Sequence, residues 1–314
     1  MVILNYNSKD LLQQTLDSVF DQDWPNLEVI VVDNCSIDGS PDMVQERFGD
    51  RANILRRTLN SPTAGRNQGF RAAKGDYVLS LDNDIALPDK SVIRKGIALF
   101  EQFQWASVLA FKIGTLENPT EPLPEHWWYP QPIETSKDVI FYTDFFSEGA
   151  VLFRSQALVA TGGYDDDFFQ GFESVELSLR LINDGFVMLY CPSLTCGEQR
   201  VRGFLTQKRT RINYLSVRNR LWIVWKHYPF WRGLFYASGR ITIACLRSIR
   251  FGWIDHFVSG VKDGIFAPRD IRSKRRPLPR TTWDTIKQIR NSPNLATTVG
   301  PQTITAANPT LFLR

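Results

Sequence analysis

Residues 77–84 read Tyr-Val-Leu-Ser-Leu-Asp-Asn-Asp, a short apolar run that ends in two carboxylates separated by one residue. A run of this length is typical of a strand that is buried on both faces of a parallel sheet. In open α/β sheets, ligands bind beyond the carboxyl ends of the strands. The sequence therefore predicts a strand over 77–81, with Asp82 and Asp84 at a ligand-binding edge.

Further strands alternate with helices on both sides of this stretch. Apolar runs predict strands, and apolar residues at helical spacing predict helices. The predicted strands cover residues 2–6, 28–32, 53–57, 77–81 and 145–154, and the predicted helices cover residues 8–21, 41–48, 91–102 and 173–184. This alternation predicts an α/β fold in which helices flank a mostly parallel, Rossmann-like sheet. Residues 114–137 are rich in Pro, Glu and Trp and are expected to form an irregular excursion.

A second acidic strand end is Asp33, which follows the run Glu-Val-Ile-Val-Val at 28–32. At the carboxyl end of a parallel strand, its carboxylate is placed to accept hydrogen bonds from a ribose or a base edge. An Asp in this position is also a common turn former, and the sequence leaves that alternative open.

The pair Asp82 and Asp84 supplies the oxygen ligands that hard divalent cations prefer. A cation held there would neutralise charge that develops on a departing diphosphate. A solvated turn with two surface carboxylates is the alternative interpretation.

Residues 64–69 read Ala-Gly-Arg-Asn-Gln-Gly, and residues 65–73 are expected to begin as a loop and continue as a helix. The glycines would let a ligand approach the backbone closely, and Arg66 would pair with a phosphate. This spacing differs from the dinucleotide-binding fingerprint, so it indicates no dinucleotide cofactor.

The last polar cluster is Gly162-Gly163-Tyr164-Asp165, which precedes a helix that carries Glu173 and Glu176. These two glutamates are one helical turn apart and share a face. Either carboxylate would be able to take a proton from a hydroxyl, as general base catalysis requires. The alternative is that both are acidic residues favoured by the amino end of the helix dipole.

Taken in order, these clusters resemble the family 2 glycosyltransferases of the GT-A fold, and among them most closely the bacterial rhamnosyltransferase-like members. The resemblance covers roughly residues 2–200 and, more loosely, Arg218-Asn219. It implies an inverting transfer, in one displacement, of a sugar from a nucleotide-diphosphate donor to a hydroxyl of a lipid-linked or cell-surface polysaccharide. It also implies a divalent cofactor, Mn²⁺ or Mg²⁺.

The resemblance assigns roles to individual residues. It makes Tyr6 and Asp33 contacts of the nucleobase and ribose, and it places Arg66 and Asn67 in the donor-side loop. The pattern matches Asp82 to the first acid of an Asp-x-Asp pair, which contacts both the nucleotide-sugar donor and the metal. It matches Asp84 to the second acid, which is a metal ligand.

Two positions depart from the family pattern. Ser174 stands where the family has the Asp that acts as base, so Glu173 or Glu176 is expected to replace it. Glu198 stands where a His is common, and its carboxylate would also suit a hard metal. The alternative to an active transferase is therefore a degenerate member that binds nucleotide sugar without efficient catalysis.

Charge divides the chain into an acidic and a basic part. Residues 1–199 contain 15 Lys and Arg against 29 Asp and Glu, a net −14, and residues 200–290 contain 21 against 4, a net +17. We accordingly divide the chain into a catalytic domain (1–200), a basic, aromatic, helical region near the membrane (201–290) and a disordered tail (291–314). The four cysteines are scattered without a paired framework, which favours reduced thiols in a cytosolic protein.

The basic aromatic region is expected to lie on anionic lipid, which would make the protein peripheral on the inner face of the cell membrane. No stretch of about 18 consecutive apolar residues occurs, so no transmembrane helix is predicted. No basic stretch precedes the first apolar run, so no signal peptide is predicted either. Packing of this region onto the catalytic domain is the alternative. Nucleic acid is not expected as a partner, because no nucleic-acid-binding motif accompanies the charge.

Overall fold

The computed structural model of the chain describes residues 1–199 and 205–291. In this part of the chain, nine strands form one sheet. They are β1 (Val2–Asn5), β2 (Val29–Asp33), β3 (Ala52–Arg56), β4 (Tyr77–Asp82), β5 (Ile85–Ala86), β6 (Ala106–Thr115), β7 (Phe141–Tyr142), β8 (Ala150–Arg154) and β9 (Val187–Glu198).

The helices of residues 1–199 alternate with the strands and flank the sheet. They are α1 (Lys9–Phe20), α2 (Ser40–Phe48), α3 (Pro62–Ala72), α4 (Val92–Gln102), the short α5 (Ile133–Ser136), α6 (Ser155–Thr161) and α7 (Glu173–Asn183), with a 3₁₀ turn at Gly49–Arg51. The later helices are α8 (Leu205–His227), α9 (Phe230–Phe251), α10 (Ile254–Ile265), α11 (Arg269–Ser273) and α12 (Arg280–Asn291).

The strand order is β3-β2-β1-β4-β8-β6-β9-β5, and β7 also pairs with β9. Strands β1, β2, β3, β4, β6 and β9 run in one direction, and β8 runs antiparallel between β4 and β6. The short strands β5 and β7 run antiparallel to β9. The predicted α/β fold with a mostly parallel sheet is therefore confirmed.

Strand register brings the acidic strand ends together. Asn5 lies opposite Asp33 on the neighbouring strand β2, and Leu4 lies opposite Asp82 on β4. Because these strands are parallel, their carboxyl ends meet at one edge of the sheet. Since β8 is antiparallel, its amino end reaches that same edge.

The loop predicted at the start of residues 65–73 is wrong, because helix α3 already begins at Pro62. Its glycines pack against the sheet instead of facing a ligand. A Cβ at Gly65 would lie 2.7 Å from Leu4 Cδ1, and a Cβ at Gly69 would lie 2.4 Å from Val2 Cγ1. Both glycines therefore let α3 approach β1 closely, which fixes Arg66 and Asn67 on that helix.

The later helices share the hydrophobic core of the sheet. Residues of this region that belong to the same buried cluster include Trp222, Ile223, Ile271, Trp283 and Ile286. Within the described residues, no helix combines the length and apolarity needed to cross a bilayer. Residues 200–204 and nearly all of the predicted tail (292–314) lie outside the described residues.

Candidate active site

A hydrogen-bond network joins the ends of β1, β2 and β4. Asn5 Nδ2 donates to Asp33 Oδ1 at 3.3 Å and to Ser36 Oγ at 3.2 Å, and Asn83 Nδ2 donates to Asn5 Oδ1 at 2.9 Å. Asp33 Oδ2 accepts from the backbone N–H of Ser36 at 3.2 Å. Asp33 is thus nearly buried and held in one orientation, and it also forms the turn that the sequence left as an alternative.

Beside this network, Tyr6 follows directly after β1, and 46% of its surface is exposed. An exposed aromatic ring next to an oriented carboxylate offers a stacking surface and a hydrogen-bond acceptor at the same edge. These are the two groups that a nucleoside requires.

On β4, Asp82 is held by Arg66. The Arg66 guanidinium is buried and bonds Asp82 Oδ1, and its Nη1 donates to Ser80 Oγ at 3.2 Å. Burial alone would lower the pKa of Arg66, but Asp82, together with Tyr164 and Glu148, outweighs it and raises that pKa. Arg66 therefore stays charged and orients Asp82.

The Asn67 side chain makes three hydrogen bonds to two residues, Tyr164 and Asp166. Its Nδ2 donates to Tyr164 O and to Asp166 Oδ1, each at 2.7 Å, and its Oδ1 accepts from Tyr164 N at 2.8 Å. Gly163, which precedes Tyr164, has a φ of 74°, and a Cβ at this glycine would lie 2.3 Å from Asn67 Oδ1. The structure therefore gives Asn67 the role of fixing the turn that follows α6.

Asp84, Glu198 and Cys196 lie where β5 meets the end of β9. Ile85 is paired with Glu198, and the carbonyl of Asp84 accepts from Gln199 N at 2.8 Å. Burial raises the pKa of the Cys196 thiol, and the charges of Glu198, Asp82 and Asp84 raise it further. The carboxylates of Asp82, Asp84 and Glu198 thus make this region of the sheet edge negatively charged.

The side-chain oxygens at this edge suit a hard metal only if a bound substrate supplies further ligands. Among the described residues, no three His, Cys, Asp or Glu side chains are grouped so as to hold a cation by themselves. Mg²⁺ in nucleotide sites is commonly held by one or two carboxylates together with substrate phosphates. Asp84, with Asp82 or Glu198, fits that partial set.

Of the two predicted bases, Glu176 is committed elsewhere. Its oxygens accept from Arg180 Nη2 at 2.7 Å, Lys226 Nζ at 2.5 Å and His227 Nε2 at 2.9 Å, and the side chain is fully buried. Burial would raise the pKa of this carboxyl, but Arg180, His227 and Lys226 together hold it well below its usual range. Glu176 has neither the access nor the basicity that a general base needs, which corrects the sequence-based assignment.

The other predicted base, Glu173, lies in a second carboxyl cluster. Its pKa and the pKa of Glu148 depend on each other. Burial raises the pKa of both Glu148 and Glu173, and it raises the pKa of Glu173 well above its usual range. Sequence reasoning missed Glu148, because it precedes β8 without a motif and only the antiparallel strand brings it to this edge.

The segment before α7 is fixed by α8. Asn219 is fully buried, and its Nδ2 donates to the carbonyls of Phe168 and Gln170 at 3.0 Å and to that of Gly171 at 2.6 Å. Phe172, the residue before α7, has a positive φ of 69°. The helical region therefore helps to position Glu173.

The sheet, its strand order and its acidic edge define an α/β protein of the GT-A fold. The sequence profile of Glycosyl transferase family 2 matches residues 1–160, just over half of the chain. The chain belongs to this family.

Curated relatives match a shorter stretch. A putative teichuronic acid biosynthesis glycosyltransferase (TuaG) of Bacillus subtilis is 40% identical over 83 residues, which is 26% of this chain and 33% of that protein. A poly(ribitol-phosphate) beta-glucosyltransferase of Bacillus spizizenii is 37% identical over 100 residues, which is 30% of this chain and 16% of that protein. The chain thus spans a third or less of the length of these relatives.

Solved structures share the fold across most of the chain. A mannosyltransferase of Pyrobaculum calidifontis, in complex with GDP-Man and Mn²⁺, superposes with a TM-score of 0.58 at 18% identity, over 85% of this chain and 74% of that one. TarS residues 1–349 of S. aureus, in complex with UDP-GlcNAc, superpose with a TM-score of 0.54 at 16% identity, over 92% and 86%.

Proposed function

We propose that the protein is an inverting glycosyltransferase that moves a sugar from a nucleoside-diphosphate donor to a hydroxyl of a lipid-linked or cell-surface polysaccharide. The observation that carries this proposal is the convergence of Asp33, Asp82 and Asp84 on one sheet edge in a family 2 chain. The names of its relatives support the acceptor class, since they include teichuronic acid biosynthesis, poly(ribitol-phosphate) and a diphosphoundecaprenol-linked sugar.

Donor binding follows from the groups at the ends of β1 and β2. Tyr6 stacks on the nucleobase, and Asp33 accepts hydrogen bonds from the ribose, because its carboxylate is already oriented by Asn5 and Ser36. Arg66 and Asn67 act indirectly: Arg66 holds Asp82 at the donor, and Asn67 holds the turn behind it.

Asp84, together with Asp82 or Glu198, would hold a divalent cation, Mn²⁺ or Mg²⁺, beside the diphosphate of the donor. When bound, the cation neutralises the charge that develops on the leaving nucleoside diphosphate. Arg66 fixes Asp82 in position for this task.

The acceptor hydroxyl loses its proton to the carboxyl cluster at the start of α7. Glu173 belongs to that cluster, whereas Glu176 is bound by Arg180, Lys226 and His227. The attack and the departure of the diphosphate occur in one displacement, which inverts the configuration at the anomeric carbon.

The surface of α9 supports peripheral binding to the inner face of the cell membrane. Large apolar side chains on this helix are exposed to solvent: Phe230, Trp231, Leu234, Phe235, Ile243, Leu246, Ile249 and Phe251. Arg232, Arg240, Arg247 and Arg250 lie on the same helix. Apolar side chains that enter the headgroup region beside basic ones are the features of helices that lie on anionic lipid.

A thermal-shift screen tests donor binding. UDP and GDP are added with and without MnCl₂, and a metal-dependent rise in Tm for one of them is expected. Absence of any shift, with or without metal, would contradict nucleotide-sugar binding.

The second candidate function is that of a degenerate member, and Ser174 is the observation that favours it, because a hydroxyl accepts no proton near neutral pH. A wild type that binds nucleotide but releases none from its sugar, together with a Ser174→Asp variant that does, would establish this second function.

A further inference from the structure

Three arginines meet at the groove between α8 and α9. Arg220 on α8 and Arg240 on α9 both line this groove, and its other lining side chains are apolar. Arg247 follows Arg240 by seven residues, about two helical turns, so the two share a face of α9. The charge of Arg247 also acts on Arg220. We call Arg220, Arg240 and Arg247 the arginine cluster.

The arginine cluster has no counter-charge in the part of the chain that the structure describes. No carboxylate of that part forms an ion pair with any of its members, whereas Lys226 on α8 pairs with Asp165 and Arg290 on α12 pairs with Asp144. Arg220 Nε is shielded from solvent and has no hydrogen-bond partner among the described residues. Buried polar groups nearly always have a partner, so we expect a bound ligand to supply the one that this donor lacks.

An aromatic ring holds the Arg220 guanidinium and leaves its edge available. The guanidinium lies over the ring of Phe172, 4.5 Å from the ring centroid. Such stacking covers the flat face of the guanidinium, while its N–H donors lie in the plane. Burial lowers the pKa of Arg220, Tyr236 raises it, and the charges of Arg240 and Arg247 lower it again. These like charges repel one another, and an anion bound between them would relieve the repulsion.

The arginine cluster adjoins the start of α7. Phe172, which Arg220 contacts, directly precedes Glu173. Phe172 also contacts the half-exposed Trp128, and their ring centroids are 5.5 Å apart. The donor diphosphate is proposed to lie with its cation at Asp84, which follows β4, so a ligand of the arginine cluster is a different anion. An anion beside the carboxyl cluster that takes the acceptor's proton is expected to belong to the acceptor.

We propose that the arginine cluster binds the phosphate or diphosphate through which a lipid-linked acceptor carries its sugar. The inference rests on the proposed glycosyl transfer and narrows its acceptor to a lipid-linked saccharide. Guanidinium groups bind phosphate oxygens through paired hydrogen bonds, which arginines from two helices supply from both sides of the groove. Exposed apolar side chains of α9, among them Trp231 and Phe235, lie beside the lipid. The bound anion thereby orients the acceptor's sugar toward the carboxyl cluster at Glu173.

Calorimetry of the full chain with inorganic diphosphate and with farnesyl diphosphate, a short polyprenyl diphosphate, tests this site. Divalent metal is left out, so that the acidic edge does not bind diphosphate through a cation. The wild type is expected to bind both compounds, and farnesyl diphosphate more tightly. Arg220→Gln and Arg240→Gln should each weaken the affinity about 10–100-fold, because each removes charge-assisted hydrogen bonds. Arg71→Gln, an exposed residue on α3, is the control and should bind as the wild type does.

A second measurement separates the acceptor's anion from the headgroups of the membrane. Phosphatidylglycerol vesicles should not displace inorganic diphosphate from the wild type, and displacement would assign the arginine cluster to the membrane surface and overturn the inference. Because Arg240 is exposed, Arg240→Gln remains a valid test where Arg220→Gln lowers stability. Circular dichroism checks the fold of each variant.

Three further results would overturn the inference. They are no binding of either diphosphate, equal affinity of the wild type and both arginine variants, and equal affinity of the wild type for inorganic and farnesyl diphosphate. Failure of the proposed function is distinguishable, because it shows as the absence of a metal-dependent shift with UDP or GDP. The acceptor assignment then falls as well, even where diphosphate binding depends on Arg220 and Arg240.

Discussion

Lys226 on α8 donates a hydrogen bond of 2.5 Å to Glu176 on α7. Both side chains are almost fully buried, and the same lysine also bonds Asp165 at 2.5 Å. A buried carboxylate is stable only when its charge is paired. This buried ion pair therefore joins the basic helical region to the acidic part of the chain that forms the sheet.

Glu176→Gln is expected to lower the free energy of unfolding by about 3–5 kcal/mol, because it leaves buried cationic partners without their counter-charge. Chemical denaturation measures the change. Glu46→Gln, on the exposed face of α2, is the matched control and should leave stability unchanged. Equal stability of the two variants would show that the network contributes little.

The same residue gives the fold a dependence on acid. The pKa of Glu176 is lowered in the folded state, so its contribution to stability is present above the unfolded-state pKa of about 4.3 and is lost as pH falls through the folded value. The wild type should therefore lose stability below this pH more steeply than Glu176→Gln. Parallel curves of Tm against pH for the two proteins would be the contrary result.

Asp84→Ala is expected to abolish metal-dependent nucleotide binding, because the acidic edge then loses its proposed cation ligand. Calorimetry of UDP and GDP with MnCl₂ measures the affinity. Asp10→Ala, an exposed residue on α1, should bind as the wild type does. Unchanged affinity in Asp84→Ala would remove Asp84 from the metal assignment.

Gly163→Ala should destabilise the protein more than Gly162→Ala does. Both glycines have φ near 75°, so each substitution carries the strain of left-handed backbone, roughly 1–2 kcal/mol. The additional Cβ at 163 would meet Asn67 Oδ1 at 2.3 Å, whereas that at 162 has no atom within 4 Å. Thermal unfolding of the pair isolates the contact with Asn67, and equal losses would show that Asn67 shifts without cost.

Trp231→Ser combined with Phe235→Ser is expected to weaken binding to vesicles that contain anionic lipid. These side chains are 77% and 85% exposed on α9 and would enter the headgroup region. Co-sedimentation at low and high salt measures the binding, which salt should also weaken by screening. Val159→Ser, on the exposed face of α6, is the control. Wild-type binding that is indifferent to salt and to anionic lipid would contradict membrane attachment.

The early strands and helices could be predicted because their apolar periodicity is local. The predicted bounds of strand β2 and helix α1 agree with the structure to within one or two residues. The acidic carboxyl ends of β2 and β4 were predicted from the apolar runs that precede them. Strand β6 was not predicted, although it lies in the middle of the sheet and is buried along nearly its whole length. An apolar run gives no indication of its partner, so β6 and the antiparallel course of β8 depend on tertiary pairing.

The roles of charged residues were harder to predict than their presence. Glu173 and Glu176 look equivalent on a helical face, but Lys226 and His227 arrive from a distant helix and bind only Glu176. Gly65 and Gly69 suggest a phosphate loop in the sequence, whereas the structure uses them for close helix–sheet packing. In each case the deciding neighbour is remote in sequence.

The bonds from Asn219 to the carbonyls of Phe168, Gln170 and Gly171 set a limit on how the chain can be shortened. A fragment that stops at residue 160, where the family match ends, omits the helix that carries Glu173. One that stops before α8 removes the Asn219 donor of three carbonyls and takes Lys226 and His227 away from the carboxylate of Glu176. With total stabilities of about 5–15 kcal/mol for native domains, neither fragment is expected to fold on its own. The smallest fragment of this chain that is expected to fold on its own therefore extends through α8.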